Sequence, residues 1–300
     1  MRIVRPSIPE DIPAQRELWR LAFGDGEDYI DNFYHTYYQP ERVLVLEEEG
    51  VVRSMTAWFD TAFVVPGQGE YRAAYLYAVA THPDCRGRGL AGELLAGADD
   101  CFRSLHIPAV TTVPAEPSLH NFFGANGFRE CFRVLGSHLD RHELEKFTFP
   151  PLDVFRPASP EEYGRVREEL LRDIPHIAYP EDALAYQAGC CALGEGGLFV
   201  GDTPAGPACL CAERADGERM IFKEFLCPRQ SGPQETARLW LNFPKIAPAR
   251  RWELRQPRPA ELCTGANENL GKFGMLKWLD PALEEAWDWN RVGYLGLAFD

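Results

Sequence analysis

The chain has 300 residues, yet no stretch in it approaches the roughly 20 consecutive apolar residues needed to span a bilayer. No membrane helix is expected. The N-terminal run Met1-Arg-Ile-Val-Arg-Pro-Ser-Ile-Pro-Glu-Asp11 lacks the apolar core of a secretory signal, so a cytoplasmic protein is expected. Basic charge is scarce: 31 Lys and Arg against 45 Asp and Glu give a net charge of −14. With no basic stripe, such a chain should repel nucleic acid. The same acidity suits a cationic acceptor such as an amine or polyamine, and equally serves solubility alone. Nine cysteines form no framework spacing. Cys190 and Cys191 are adjacent and Cys209 and Cys211 alternate, which reads as reduced packing cysteines rather than disulfides. No C-x-x-C or paired-His spacing points to a metal site. Neither G-x-G-x-x-G nor a P-loop G-K-[ST] accompanies the glycines discussed next.

What is present centres on Tyr75–Leu105. Tyr75, Tyr77, Val79 and Thr81 alternate with Leu76, Ala78 and Ala80, the period of a strand in which the first set shares one face. Pro83 ends the ladder, and the turn Arg86-Gly87-Arg88-Gly89 follows. Leu90, Leu94, Ala98, Cys101 and Leu105 then recur at helical spacing, with Glu93, Asp99, Asp100 and Arg103 mostly elsewhere. Strand, glycine turn and helix start make a physical anion site. The first helical N–H groups lack internal partners and carry partial positive charge. Glycines remove Cβ atoms from the approach, and arginines match phosphate geometry. An ordinary strand-to-helix turn with solvated arginines is the plainer alternative.

The spacing Arg86-x-x-Gly89-x-Ala91, in that setting, resembles the R-x-x-G-x-G/A signature of the GCN5-related N-acetyltransferase (GNAT) superfamily. Ser118 to Phe128 resembles the family's late helix and its Y-x-x-x-G-F ending: Gly127 and Phe128 match, but Phe123 holds the tyrosine position. The resemblance implies acetyl-CoA as donor and a primary amine as acceptor. It places the pantetheine arm along Val79, Ala80 and Thr81, and the pyrophosphate on Arg86, Gly87, Arg88, Gly89, Leu90 and Ala91. A base is then required for the amine; His82 and Glu116 near the cleft mouth are candidates, each equally readable as a surface group. In related tandem proteins the C-terminal carboxylate reaches the first site, which makes Asp300 a third candidate. Phe123 cannot protonate the leaving thiolate, so Tyr75 or Tyr77 would have to replace it, unless both are core residues. Loss of that hydroxyl also leaves open a CoA-binding or sensing protein without chemistry.

Along the chain, Arg2–Arg5 reads as a strand, Ser7 and Glu10 as a capping box, and two aromatic-rich helices follow, the second over 28–38. Strands are expected over 43–46, 51–59, 61–65, 70–81 and 109–113, with 130–141 closing the first domain. Phe147-Thr-Phe-Pro-Pro151 reads as a linker. The second half then echoes the first. Val4–Asp11 parallels Phe155–Glu162, Arg16-Glu17 parallels Arg167-Glu168, and Gly271–Met275 aligns with Gly124–Phe128. Arg229-Gln-Ser-Gly232-Pro-Gln234 stands where a second phosphate turn belongs, with Gln230 and Gln234 crowding it. The expected fold is therefore α+β: two tandem acyl-CoA N-acyltransferase-like domains, each a mixed, mostly antiparallel sheet flanked by helices. Residues 1–146 carry the cofactor site and 152–300 a degenerate copy, resembling relatives of the enhanced intracellular survival protein.

Overall fold

The computed structural model describes residues 1–257 and 269–299, without the side chains of 269 and 270. In chain order the elements are β1 (Arg2–Pro6), α1 (Ile12–Phe23), α2 (Glu27–Thr36), β2 (Val43–Glu48), β3 (Val51–Val65), β4 (Gly69–Thr81), α3 (Leu90–Ser104), β5 (Ala109–Thr112), α4 (Pro117–Ala125) and β6 (Arg129–Asp140). There follow α5 (Arg141–Leu144), β7 (Arg156–Pro157), α6 (Pro160–Leu171), β8 (His176–Ala178), α7 (Glu181–Leu193), β9 (Gly197–Thr203), β10 (Gly206–Arg214) and β11 (Arg219–Leu226). The last are α8 (Pro233–Trp240), α9 (Phe243–Ile246), β12 (Arg251–Gln256), β13 (Asn269–Trp278) and α10 (Pro281–Ala286). They fall into two compact units. One holds Met1–Cys131 and Gly274–Arg291; the other holds Phe132–Phe273 and Val292–Phe299. The units are thus interleaved, and the chain does not pass from one to the other at the expected 147–151 linker.

In the first unit the strand order is β1-β2-β3-β4-β5-β13. All neighbours are antiparallel except the parallel pair β4/β5. β3 is one continuous strand where two were expected. α1 and α2 bring Trp19, Phe33 and Tyr37 against Phe59 and Tyr77, with Trp19 and Tyr77 ring centroids 5.4 Å apart. Against the other face, α3 and α4 bury Leu90, Leu94, Phe102 and Phe123 onto Leu44, Trp58, Leu76 and Met275. Each such side chain contributes roughly 1.5–3 kcal/mol of hydrophobic stabilisation. Ser7 does not cap a helix as expected: its hydroxyl meets Tyr38 Oη and Pro40 O, both at 3.1 Å. The helix start is instead tied by Asp11, which accepts from Ile8 N at 2.9 Å and pairs with Arg5 at 2.7 Å.

The second unit repeats the plan. Its order is β7-β9-β10-β11-β12-β6, again antiparallel except for one parallel pair, β11/β12. Its core joins Phe222, Phe225, Phe243, Trp252 and Leu239. The expected strand over 130–141 therefore serves the second sheet, where Leu135–Asp140 pairs with β12, while Met275–Trp278 closes the first beside β5. A strand's hydrogen-bond partner is a long-range choice that its own pattern does not encode. The echo at Phe155–Glu162 reaches atomic detail. Ser159 accepts from Glu162 N at 3.1 Å, and Arg156 pairs with Glu162 at 2.6 Å as Arg5 does with Asp11. The Gly271–Met275 echo does not hold: those residues lie inside β13, not in a helix-to-strand turn.

Candidate active site

The parallel pairing of β4 and β5 runs only from Ala73/Ala109 to Leu76/Thr112. β4 continues to Thr81, so among the described residues no strand pairs with the β5-side edge of Tyr77–Thr81. On its other side β4 bulges. Met55 lies opposite Ala80 and Ala57 opposite Tyr77, leaving Ala78 and Val79 against the single residue Thr56. Ala78 takes φ +50, a region that costs a non-glycine residue about 1–2 kcal/mol. The bulge also resets the faces. Val79 packs with the Leu76 cluster, while Tyr77 stays with Trp19 and Phe59. The simple alternation that put Val79 beside Tyr77 is corrected here, because an inserted residue breaks the period of two.

β4 leads into a short 3-10 turn, Pro83–Cys85, and then into Arg86–Gly89. Gly87 and Gly89 have φ +74 and +79, and a Cβ on either would meet nothing within 4 Å. The positive φ at both positions is a backbone conformation that favours glycine. Gly89 is the N-cap of α3 and brings no side chain to cap it, so the leading N–H groups at Leu90 and Ala91 face outward unpaired within the helix. Arg86 Nε lies 3.4 Å from Thr81 O, and Arg88 holds Glu48 at 2.7 Å, which also binds Arg2. Those two arginines hold Glu48 below its ordinary pKa, the Arg2 hydrogen bond being the largest cause.

The candidate catalytic residues separate on inspection. His82 Nδ1 accepts from Asp84 N at 3.3 Å, so this ring nitrogen serves its own turn. Glu116 is exposed at the N-cap of α4 without capping it, and among the described residues receives only Ser118 Oγ, at 3.4 Å. Tyr75 is buried. Tyr77 is half-buried on the open segment of β4, its hydroxyl 3.4 Å from that of Tyr29 on α2. Sequence reading did not single out Tyr29 as Tyr77's partner, and only its place in an aromatic run hinted at it. Phe123 is 5% exposed and packs at 5.5 Å on Phe128, so α4 sends a core ring where the family pattern has a hydroxyl. Asp300 lies outside the described residues.

One buried pair near this site had no sequence signal. Asp99, expected on the polar face of α3, is buried and bonded to Lys277 of β13, which also donates to Asn126 O at 2.8 Å. Lys277 Nζ stands 5.5 Å from the Phe128 ring centroid. This pair ties α3, the end of α4 and the late strand together. Among the described residues no group of three or more His, Cys, Asp or Glu could hold a metal ion, and no helix is long and apolar enough to cross a membrane.

A strand that bulges, leaves its parallel neighbour and runs into a glycine-started helix defines an acyl-CoA N-acyltransferase architecture. Residues 4–127 match the family model described as "Acetyltransferase (GNAT) domain". The family match covers the first part of the chain, and over the whole chain tandem GNAT proteins of known structure share the fold. Eis1 from Mycobacterium abscessus superposes with TM-score 0.65 at 12% identity, over 95% of this chain and 75% of that one. A GCN5-related N-acetyltransferase from Kribbella flavida gives 0.67 at 15% identity, over 93% and 72%. A tandem GNAT protein from the clavulanic acid biosynthesis pathway gives 0.55 at 14% identity, over 94% of this chain and 99% of that one. These identities speak for the fold alone. No curated protein matches by sequence.

Proposed function

We propose that the first unit transfers the acetyl group of acetyl-CoA to a primary amine. The observation that carries this reading is the edge of Ala78–Thr81 beyond the end of β5, with which no described strand pairs, running into the uncapped start of α3. An extended pantetheine arm can add to that edge like a strand. The N–H of Val79 or Ala80 then polarises the thioester carbonyl and holds the developing oxyanion. The diphosphate belongs on Gly87–Ala91, with Arg86 adding charge. Acetyl-CoA supplies an activated acyl group; the amine nitrogen attacks its carbonyl carbon, the C–N bond forms, the C–S bond breaks and the amine gives up a proton.

Tyr77 is the chain's best-placed hydroxyl for protonating the leaving thiolate in place of Phe123. Its long contact to Tyr29 Oη gives the Tyr77 phenolate left behind a route for regaining a proton. His82 and Glu116 are less suited as base for the amine, being held to a turn and exposed at a helix start. The chain's net charge of −14 favours a small cationic or peptide amine in the cytoplasm over nucleic acid or a membrane.

Free-thiol release from acetyl-CoA with a panel of polyamines, lysine peptides and aromatic amines tests the reading. Turnover with at least one amine is expected. Tyr77→Phe should lower kcat by about 10²–10⁴-fold at unchanged CoA affinity; a change under threefold removes Tyr77 from the chemistry. CoA binding without thiol release from any amine would favour the second reading, a sensor, which the buried Phe123 supports.

A further inference from the structure

We propose that the first unit carries a second small-molecule site, separate from the acetyl-transfer cleft, which takes a small organic carboxylate. Its basis is a cavity of about 550 Å³ beside α4, within the roughly 300–1,000 Å³ range of ligand pockets. On α4, Leu119, Phe122 and Phe123 face the core cluster. His120, Asn121 and Gly124 fall on the opposite side at 3.6-residue spacing and line the cavity. Phe128 and Met275 supply an apolar floor, both nearly inaccessible. No residue of β4, β5 or the 86–91 turn lines it.

Its polar groups are unequal. Glu130 Oε1 lies 2.8 Å from His120 Nδ1, and both side chains are mostly covered, so this carboxylate is already engaged. Arg129 is different. Its guanidinium carbon stands 3.9 Å over the Trp289 ring. The ring face attracts the cation, while the guanidinium N–H donors lie in its own plane and stay free for a ligand. That guanidinium makes no hydrogen bond or ion pair with any described residue. A chain with net charge −14 thus holds the Arg129 guanidinium over an indole, donors unspent, at the rim of an apolar-floored cavity. A carboxylate matches the guanidinium fork in a bidentate way. A single negative charge suits the place better than a phosphate dianion, because Glu130 stands on the same wall.

The probes are phenylacetate and butyrate, with benzylamine and inorganic phosphate as contrasts, titrated calorimetrically into the full chain without acetyl-CoA. Saturable binding of at least one carboxylate is expected, with shifts of the Trp289 indole resonance in NMR. Arg129→Ala should weaken it at least tenfold and Arg129→Lys partly, while Arg86→Ala leaves it unchanged. Acetyl-CoA affinity should not respond to Arg129→Ala, so failure here is distinguishable from failure of the transfer reading. No saturable carboxylate binding overturns the proposal. So does benzylamine or phosphate binding as tightly as phenylacetate, or an Arg129→Ala chain that binds phenylacetate normally.

Discussion

Both units contain a parallel strand pair that ends early and a bulge just beyond it. In the first, pairing stops at Leu76 and the bulge falls on Ala78 and Val79, small or apolar residues beside open backbone. In the second, pairing stops at Phe222 and the extra residue is Lys223, followed by Glu224. Both of those charges are buried. Glu224 accepts from Arg167 Nε and Tyr163 Oη, each at 2.8 Å, and Lys223 pairs with Glu213 at 3.0 Å. Burial pushes the Tyr163 hydroxyl well above its usual pKa, with the Glu224 charge adding to it. The same topology thus frames an open slot once and an ionic core once. Loss of the glycine turn is the smaller part of the second unit's divergence; the charges placed behind the bulge are the larger.

The turns differ in the same sense. Gly89 has φ +79, whereas Gly232 at the start of α8 has φ −71, a conformation any residue adopts. Gln230, expected to crowd a diphosphate, donates to Ala205 O at 2.6 Å. The second turn has lost the need for glycine along with the spacing.

The largest test of the contrast is Arg167→Ala. Leaving Glu224 as an uncompensated buried charge should cost about 3–5 kcal/mol. Replacing the pair together, Arg167→Met with Glu224→Leu, should cost far less. Urea unfolding decides it, and a single-variant loss below about 1 kcal/mol would mean the pair is no structural substitute for an open slot. Next, Gly89→Val forces a β-branched residue into left-handed backbone, at about 1–2 kcal/mol, and should raise the KM for acetyl-CoA. Gly232→Ala should stay within about 0.5 kcal/mol of wild type; equal effects at the two glycines would erase the distinction between the turns.

A smaller effect is expected from pH. Burial tends to raise the Glu168 pKa, but the His176 hydrogen bond and the Arg167 charge outweigh it and leave it lowered. A lowered carboxylate stabilises the fold fully above its unfolded value of about 4.3 and loses that contribution as pH falls through the folded value. Glu168→Gln should flatten the acid limb of a thermal-melt profile below that point; an unchanged limb would place the acid sensitivity elsewhere. The smallest effect belongs to Arg156→Ala, which breaks an exposed pair with Glu162 and should leave the melting temperature unmoved within error.

Much of the first site was legible because it is local. The 86–91 turn, the strand before it and the helix after it are contiguous, and their periods, glycines and proline are written in one stretch. The tandem plan was legible too, since Arg156 and Glu162 repeat the pairing of Arg5 and Asp11. Three features were not. The bulge rests on Ala78, a residue with no preference for φ +50, and is imposed by register with β3. The Asp99–Lys277 pair joins residues 178 apart in sequence. Tyr29 meets Tyr77 only because α2 packs across β4.

The sequence by itself determined the glycine turn, the helix and strand periods, the missing hydroxyl at Phe123 and the repetition of the fold, because each depends on neighbours within a few residues or on composition. Only the tertiary structure decided which late strand closes each unit's strand order, where β4 runs on past the end of β5 and which charges are buried. Those outcomes are set by hydrogen bonds and packing between segments far apart in the chain, and no local pattern specifies them.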